Sequence, residues 1–347
     1  MTIGHSTIAA ATSCTPAALH AGPRLYVRWR ARAGAVTDLG WSADGRVLAV
    51  ATRSGAVHLV DGATGQVQAL LTEHAGGATA VAWRPCGTVL ATSGNDATIR
   101  CFDRSSLDLI LEADTRGLRA VGLSWSSDGA YLAARVGGVP TVWSLGARSR
   151  PLKRRLARCV AWHPTDSRVF VADAKRITSL AIDGKPSLVT LTSTAPIASL
   201  AVRPDAGFLA AMTTQGPAIW DLATGEPRIV PDLLGASAEP GPAPIAWSPT
   251  MPWLIAARGG AIRVWSDPTA ESRWLHAHAG VITALVPLPC GRRFVSSGKD
   301  GAVHVWHIDR PAPSGTGRHA APLTLVAAAS AAIAAASADD RLTAWSL

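Results

Sequence analysis

Short apolar runs separated by polar turns recur along the whole chain. In "SSGKDGAVHVWHID" (296–309) a Gly- and Asp-bearing turn leads into a run that alternates apolar with polar residues and ends on Trp306. Period-two alternation after a Gly/Asp break predicts a strand with one buried face. The same pattern returns in "RSGAVHLVD" (53–61), "SGNDATIRCFD" (93–103), "GGVPTVWS" (137–144), "AKRITSLA" (174–181), "QGPAIWD" (215–221), "GGAIRVWS" (259–266) and "DDRLTAWS" (339–346). Its anchors are Val60, Phe102, Trp143, Leu180, Trp220, Trp265, Trp306 and Trp345, a period of about forty residues. Before each anchor stands a second motif, an apolar strand running into a tight turn. It is clearest in "DLGWSADG" (38–45), "AVAWRPCG" (80–87), "GLSWSSDG" (122–129) and "CVAWHPTD" (159–166), and degraded in "SLAVRPDA", "PIAWSPTM" and "ALVPLPCG". Adding the following apolar run ("VLAVAT", "FLAAMT") and a looser last one ("QVQALL", "LDLILE") gives four strands per repeat and an all-β chain.

This unit resembles the WD-repeat β-propeller family, whose four-stranded blades form a ring. Trp220-Asp221 is a literal WD dipeptide, and Phe102-Asp103 and Val60-Asp61 are variants of it. The resemblance covers residues 25–347 and implies blade-wedging tryptophans. It also implies a structural hydrogen-bond set of His278, Ser296 or Ser297, Asp300 and Trp306, with a second version at His74, Thr92 or Ser93, and Asp96, where Phe102 offers no N–H.

The last repeat has only three strands before the chain ends, an unpaired edge that would template aggregation. The alternating segment "RLYVRWRA" (24–31) is expected to supply the missing strand, within a closing segment 24–34, and so latch the termini together. Closure in this way gives eight blades, or seven if the alanine-rich stretch 322–347 is not a blade. Residues 1–23 read as a disordered leader before a single propeller at 24–347. The Pro/Gly-rich stretches 230–245 and 309–322 read as surface loops.

Composition narrows the class further. With 48% hydrophobic residues the chain can bury a large core, and its net charge of +9 favours acidic partners. Five cysteines without a C-x-x-C pair fit a reducing, cytoplasmic setting. The start lacks the charge and apolar core of a signal peptide, and the alanine-rich run 322–338 is too short and weak to span a membrane.

No P-loop, dinucleotide fingerprint, nucleophile elbow or H-E-x-x-H motif is present. His276, His278, His304 and His307 lie close in sequence but lack the spacing of a zinc site, so no metal or cofactor is assigned. The expected function is a non-catalytic protein–protein interaction scaffold. Its partner would carry an acidic patch and dock on the face formed by the d–a and b–c connections, which the resemblance implies is the docking side. The expected binding residues are Arg32, Arg53, Arg116, Arg155, Lys175, Arg176, Arg258, His276 and Lys299. Trp220, Asp221, His278, Asp300 and Trp306 are assigned structural roles. Two alternatives stand beside this reading: a propeller enzyme or metal- or cofactor-binding accessory protein, and an RNA- or DNA-associated propeller using the basic cluster "RSRPLKRRLAR" (148–158).

Overall fold

The computed structural model describes residues 25–145, 150–151, 157–182, 189–228, 244–267, 272–276 and 278–347. The leader 1–23, Arg155, most of the basic cluster 148–158 and most of the 230–245 stretch lie outside the described residues.

Alternation of short apolar runs with turns produces eight four-stranded antiparallel sheets, each in the order a-b-c-d. Blades 1 to 7 span residues 36–73, 78–114, 120–151, 159–192, 197–228, 245–276 and 282–318. Blade 8 comprises 323–346 and the N-terminal strand Val27–Arg32. The alanine-rich repeat is therefore a blade, and the count is eight rather than seven.

Closure follows the expected route. Val27–Arg32 pairs antiparallel with the last strand, from Val27 opposite Trp345 to Arg32 opposite Arg341. The approach to this strand is also tied down, because Leu25 N–H donates to the Thr316 carbonyl of blade 7 at 3.0 Å.

Most of the hydrophobic core lies in the seams between blades. Trp306 packs with Trp253, Ile255 and Ile262 of blade 6. Trp220 packs with Phe170 and Ile177 of blade 4, and Trp345 with Val295 and Val303 of blade 7. A flat indole fills such a wedge-shaped gap with much apolar area. The buried Nε1 atoms of Trp143 and Trp265 find no hydrogen-bond partner among the described residues, so these two indoles contribute chiefly apolar contact.

Six first strands carry a register irregularity near their start, in blades 1, 2, 3, 5, 7 and 8. Such bulges add local twist where the inner strands converge. In blade 1 the irregularity, between Val36 and Asp38, turns the Asp38 carboxylate onto backbone N–H groups of its own Leu39 (2.9 Å) and of Val81 in blade 2 (2.9 Å). Burial pushes the Asp38 pKa up to about 6, against the lowering effect of those two hydrogen bonds.

Candidate functional site

Because the strands of each blade alternate in direction, the d–a and b–c connections fall at one end of the ring and the a–b and c–d turns at the other. Each predicted binding residue that is described stands at the d–a/b–c end. Arg32 closes the N-terminal strand, Arg116 lies in the blade 2-to-3 connection, and His276 ends the last strand of blade 6. Arg53, Lys175 and Lys299 occupy b–c turns, while Arg176 opens strand c of blade 4 and Arg258 closes strand b of blade 6. All are exposed except Arg258, which is partly covered and donates to the Thr214 carbonyl of blade 5 at 3.2 Å.

Carboxylates at this end are largely turned onto local groups. Asp173 accepts the Lys175 and Arg176 N–H groups at 3.2 and 2.9 Å, and Asp114 accepts Arg116 N–H at 2.7 Å. Asp339 accepts the Ser337 hydroxyl at 2.5 Å. These are turn-type contacts in which an Asp bonds backbone or a neighbouring hydroxyl. Of the cationic set, only Arg176 is paired to a carboxylate among the described residues, with Asp173 at 3.4 Å. The end as a whole is biased toward positive potential.

Sequence reasoning missed Arg119 and Arg318, and placed Arg158 only in the basic cluster 148–158; all three are exposed at the same end. Each lies in, or just before, the stretch that leads into the next first strand. That position relative to the repeat was the available signal.

Beneath this surface lies the hydrogen-bond set of blade 7. Trp306 Nε1–H donates to Ser296 Oγ at 3.0 Å, and Ser296 stands 2.8 Å from His278 Nε2. His278 Nδ1 lies 2.9 Å from Asp300 Oδ1, and Asp300 also accepts N–H from Ala279 and Ala302. With the imidazole proton on Nδ1 facing the carboxylate, Nε2 accepts the Ser296 hydroxyl, giving a continuous relay from indole to Asp300. Of the two serines offered by the sequence it is therefore Ser296 that joins the set, while Ser297 pairs with Thr283. Burial pulls the His278 pKa down, against the raising effect of Asp300. Burial would raise the Asp300 pKa, but hydrogen bonds from His278, Ala302 and Ala279 hold it below the usual carboxylate value.

Blade 2 carries the shortened version. His74 is 3.0 Å from Asp96 and 2.9 Å from Thr92. Phe102 cannot donate, and Asp96 is instead supported by the Thr98 hydroxyl and Arg100. A third, looser copy was not anticipated: His319 faces Ser337 at 3.5 Å and Asp339 at 3.9 Å in blade 8. Of the four neighbouring histidines, His278 and His304 meet edge to face at 4.7 Å. The ring nitrogens of His278 are both engaged, and His304 Nδ1 faces the Thr316 hydroxyl at 3.0 Å.

At the opposite end, Asp221 accepts N–H from Ala223 and Thr224 and pairs with Arg228. Asp61 accepts N–H from Ala63 and Thr64 in the same way, so the sequence A-T-G at 63–65 and at 223–225 forms a turn capped by a preceding Asp. The tryptophans of the second motif take a role the sequence did not disclose. Trp41, Trp83, Trp125, Trp162 and Trp247 each donate Nε1–H to a first-strand carbonyl of the preceding blade, at Ala327, Gly40, Ala82, Ser124 and Ala201. They form a run of interblade clamps.

Comparison with known proteins bears on the fold more than on the site. Residues 24–77 match the family described as the anaphase-promoting complex subunit 4 WD40 domain, and residues 65–103 and 270–307 match the WD domain, G-beta repeat. Over 105 residues, 28% of this chain, it is 33% identical to Protein HIR1 of two strains of Cryptococcus neoformans var. neoformans serotype D, and the match spans 12% of their length. The crystal structure of the computationally designed Ika8 protein superposes with a TM-score of 0.75 at 19% identity, covering 94% of this chain and all of that one (100%). Eight blades in a closed ring give the chain the β-propeller fold, and the matches over blades 1, 2 and 7 make it similar there to the WD-repeat family.

Proposed function

We propose that the chain is a non-catalytic scaffold that docks a protein partner bearing an acidic patch on the d–a/b–c end of the ring. Propellers of this family typically serve as protein-interaction scaffolds. The observation that carries the reading is the one-sided charge. Arg32, Arg53, Arg116, Lys175, Arg176, Arg258 and Lys299 share that end, with His276 at its rim, while most carboxylates among them are occupied by local groups. Turns held by sheet on both sides present these side chains with little ordering cost on binding. Among the described residues Cys86, Cys101, Cys159 and Cys290 are free thiols, which suits a reducing compartment such as the cytoplasm.

The test is a double substitution, Arg176→Glu with Arg258→Glu, in affinity purification from the native cell. The recovered partner's binding is then measured against salt. Loss of association with an unchanged thermal midpoint supports the reading. Undiminished association removes the basic end from the function.

A further inference from the structure

The d–a connection between blades 2 and 3 departs from its sister connections. From the residue that bonds the neighbouring b–c turn to the start of the next first strand, it runs from Thr115 to Ala120. The equivalent connections run from His74 to Ala78, Ser193 to Ile197, His278 to Ile282 and His319 to Leu323, each one residue shorter. The blade 2-to-3 connection begins with a tight turn in which Leu118 N–H donates to the Thr115 carbonyl at 3.3 Å, as Gly77 N–H does to the His74 carbonyl at 3.1 Å between blades 1 and 2. Its two central residues, Arg116 (φ 58°) and Gly117 (φ 74°), are both left-handed.

This is the φ pattern of a type I′ turn, whose first central position is dominated by Gly, Asn and Asp. A long side chain enters this region only at an energetic cost. The other non-glycine left-handed residues, Ala97, Leu107, Ala206 and Asp340, stand where sister blades carry a turn glycine of the same hand, such as Gly301, Gly65, Gly45 and Gly55. Arg116 belongs to the longest such connection among the described residues.

The side chains of this turn form a compact composite. Leu118 is 50% exposed and lies over the glycine turn of blade 3, where a Cβ on Gly137 would meet Leu118 Cδ1 at 3.0 Å. Arg116 and Arg119 flank it, both exposed, and neither pairs with a carboxylate among the described residues. Gly117 opens onto free space. An aliphatic knob between two unpaired guanidiniums complements a segment that offers carboxylates around an aliphatic side chain. The turn offers no aromatic ring of the kind on which bases stack, which favours a peptide over a nucleic acid.

Building on the docking face above, we propose that the Thr115–Arg119 turn is the anchor of that face. It takes an extended acidic peptide segment, with an aliphatic residue seated on Leu118 and acidic side chains on Arg116 and Arg119.

The experiment measures binding of three labelled probes by fluorescence anisotropy at low salt: a 12-residue peptide of alternating Glu-Glu and Leu, polyglutamate of equal length, and a 12-nucleotide single strand. The Glu/Leu peptide is expected to bind at least about fivefold tighter than polyglutamate, and Arg116→Gly and Leu118→Ser each to weaken it by about fivefold, the size of a modest hot spot. Arg116→Gly should keep the thermal midpoint at or above that of the parent, since glycine relieves the left-handed strain. This separates loss of contact from loss of fold.

Unchanged affinity in both variants, or equal binding of polyglutamate, overturns the anchor. So does tighter binding of the oligonucleotide. If Arg176→Glu with Arg258→Glu weakens both acidic peptides while Arg116→Gly does not, the basic face stands and the anchor falls. If the parent binds neither acidic peptide, both fall.

Discussion

The indole Nε1–H of Trp29 donates to the Gly62 carbonyl at 3.2 Å, so the strand that completes blade 8 is also fastened to the c–d turn of blade 1. Together with the Leu25–Thr316 bond to blade 7, the N-terminal segment contacts three consecutive blades. Trp29 is almost wholly buried, among Leu39, Leu48, Val60 and Leu342. Replacing it with Ala should cost about 3–5 kcal/mol. Replacement with Phe should cost less, about 1–3 kcal/mol, from the lost hydrogen bond and the space the indole leaves. Urea denaturation of the two variants checks the difference.

The interblade clamps predict a second, independent loss. Trp125 holds the Ala82 carbonyl at 3.0 Å, and Arg84 lies over its ring. Trp125→Phe keeps most of the apolar area and removes the donor, so the expected cost is about 1–2 kcal/mol in chemical denaturation. The equivalent positions Val202, Pro287 and Ala328 have no such donor, and substitution there should not reproduce this effect.

Two opposing pH dependences are built into the blades. His74 and His278 are pulled below their ordinary 6.5, first by burial, so below that pH the unfolded chain binds protons more readily than the native one. Their contribution is complete above pH 6.5 and is lost as pH falls toward the native value. The depressed pKa values of Asp96 and Asp300 extend the loss below pH 3.8. Asp38 works the other way: its native pKa of about 6 exceeds the ordinary 3.8, so stability from this group rises as pH falls from 6 to 4. Exchanging both histidines for Gln should flatten the stability profile between pH 6.5 and 5. Asp38→Asn should steepen the decline between pH 6 and 4. Denaturation midpoints taken across that range decide both.

Leu107 occupies the left-handed position of the blade 2 c–d turn (φ 64°), where the turns of blades 1 and 5 place Gly65 and Gly225, both at φ 74°. Its side chain is exposed, at the rim of a cleft between blades 1 and 2. Leu107→Gly should therefore stabilise the chain by up to about 1 kcal/mol, the relieved strain offset in part by the greater freedom of glycine in the unfolded state. A rise in the thermal midpoint is the expected reading.

Much of this was legible along the chain because it is local. Period-two alternation marks strands whose one face is buried, and the turns at 61–65 and 221–225 repeat because a capping Asp and a left-handed glycine are needed there. The set His278–Asp300–Trp306 was readable because it lies within one repeat and its members keep fixed offsets. The choice of Ser296 over Ser297 was not, since neighbours on a strand point to opposite faces and only packing shows which face meets the indole.

By itself the sequence determined the repeat, the strand order within a blade and the need for an N-terminal strand to fill the last sheet, since these follow from hydrophobic period, turn chemistry and an odd strand out. Only the tertiary structure decided what crosses the seams: Trp41 on Ala327, Asp38 on Val81, Trp29 on Gly62, and the left-handed turn that sets Leu118 between two arginines. Those partners stand between 33 and 286 residues apart, or depend on a backbone hand that composition does not encode. They exist because closing eight blades into a ring brings the first sheet against the last and stacks each inner strand on its neighbour.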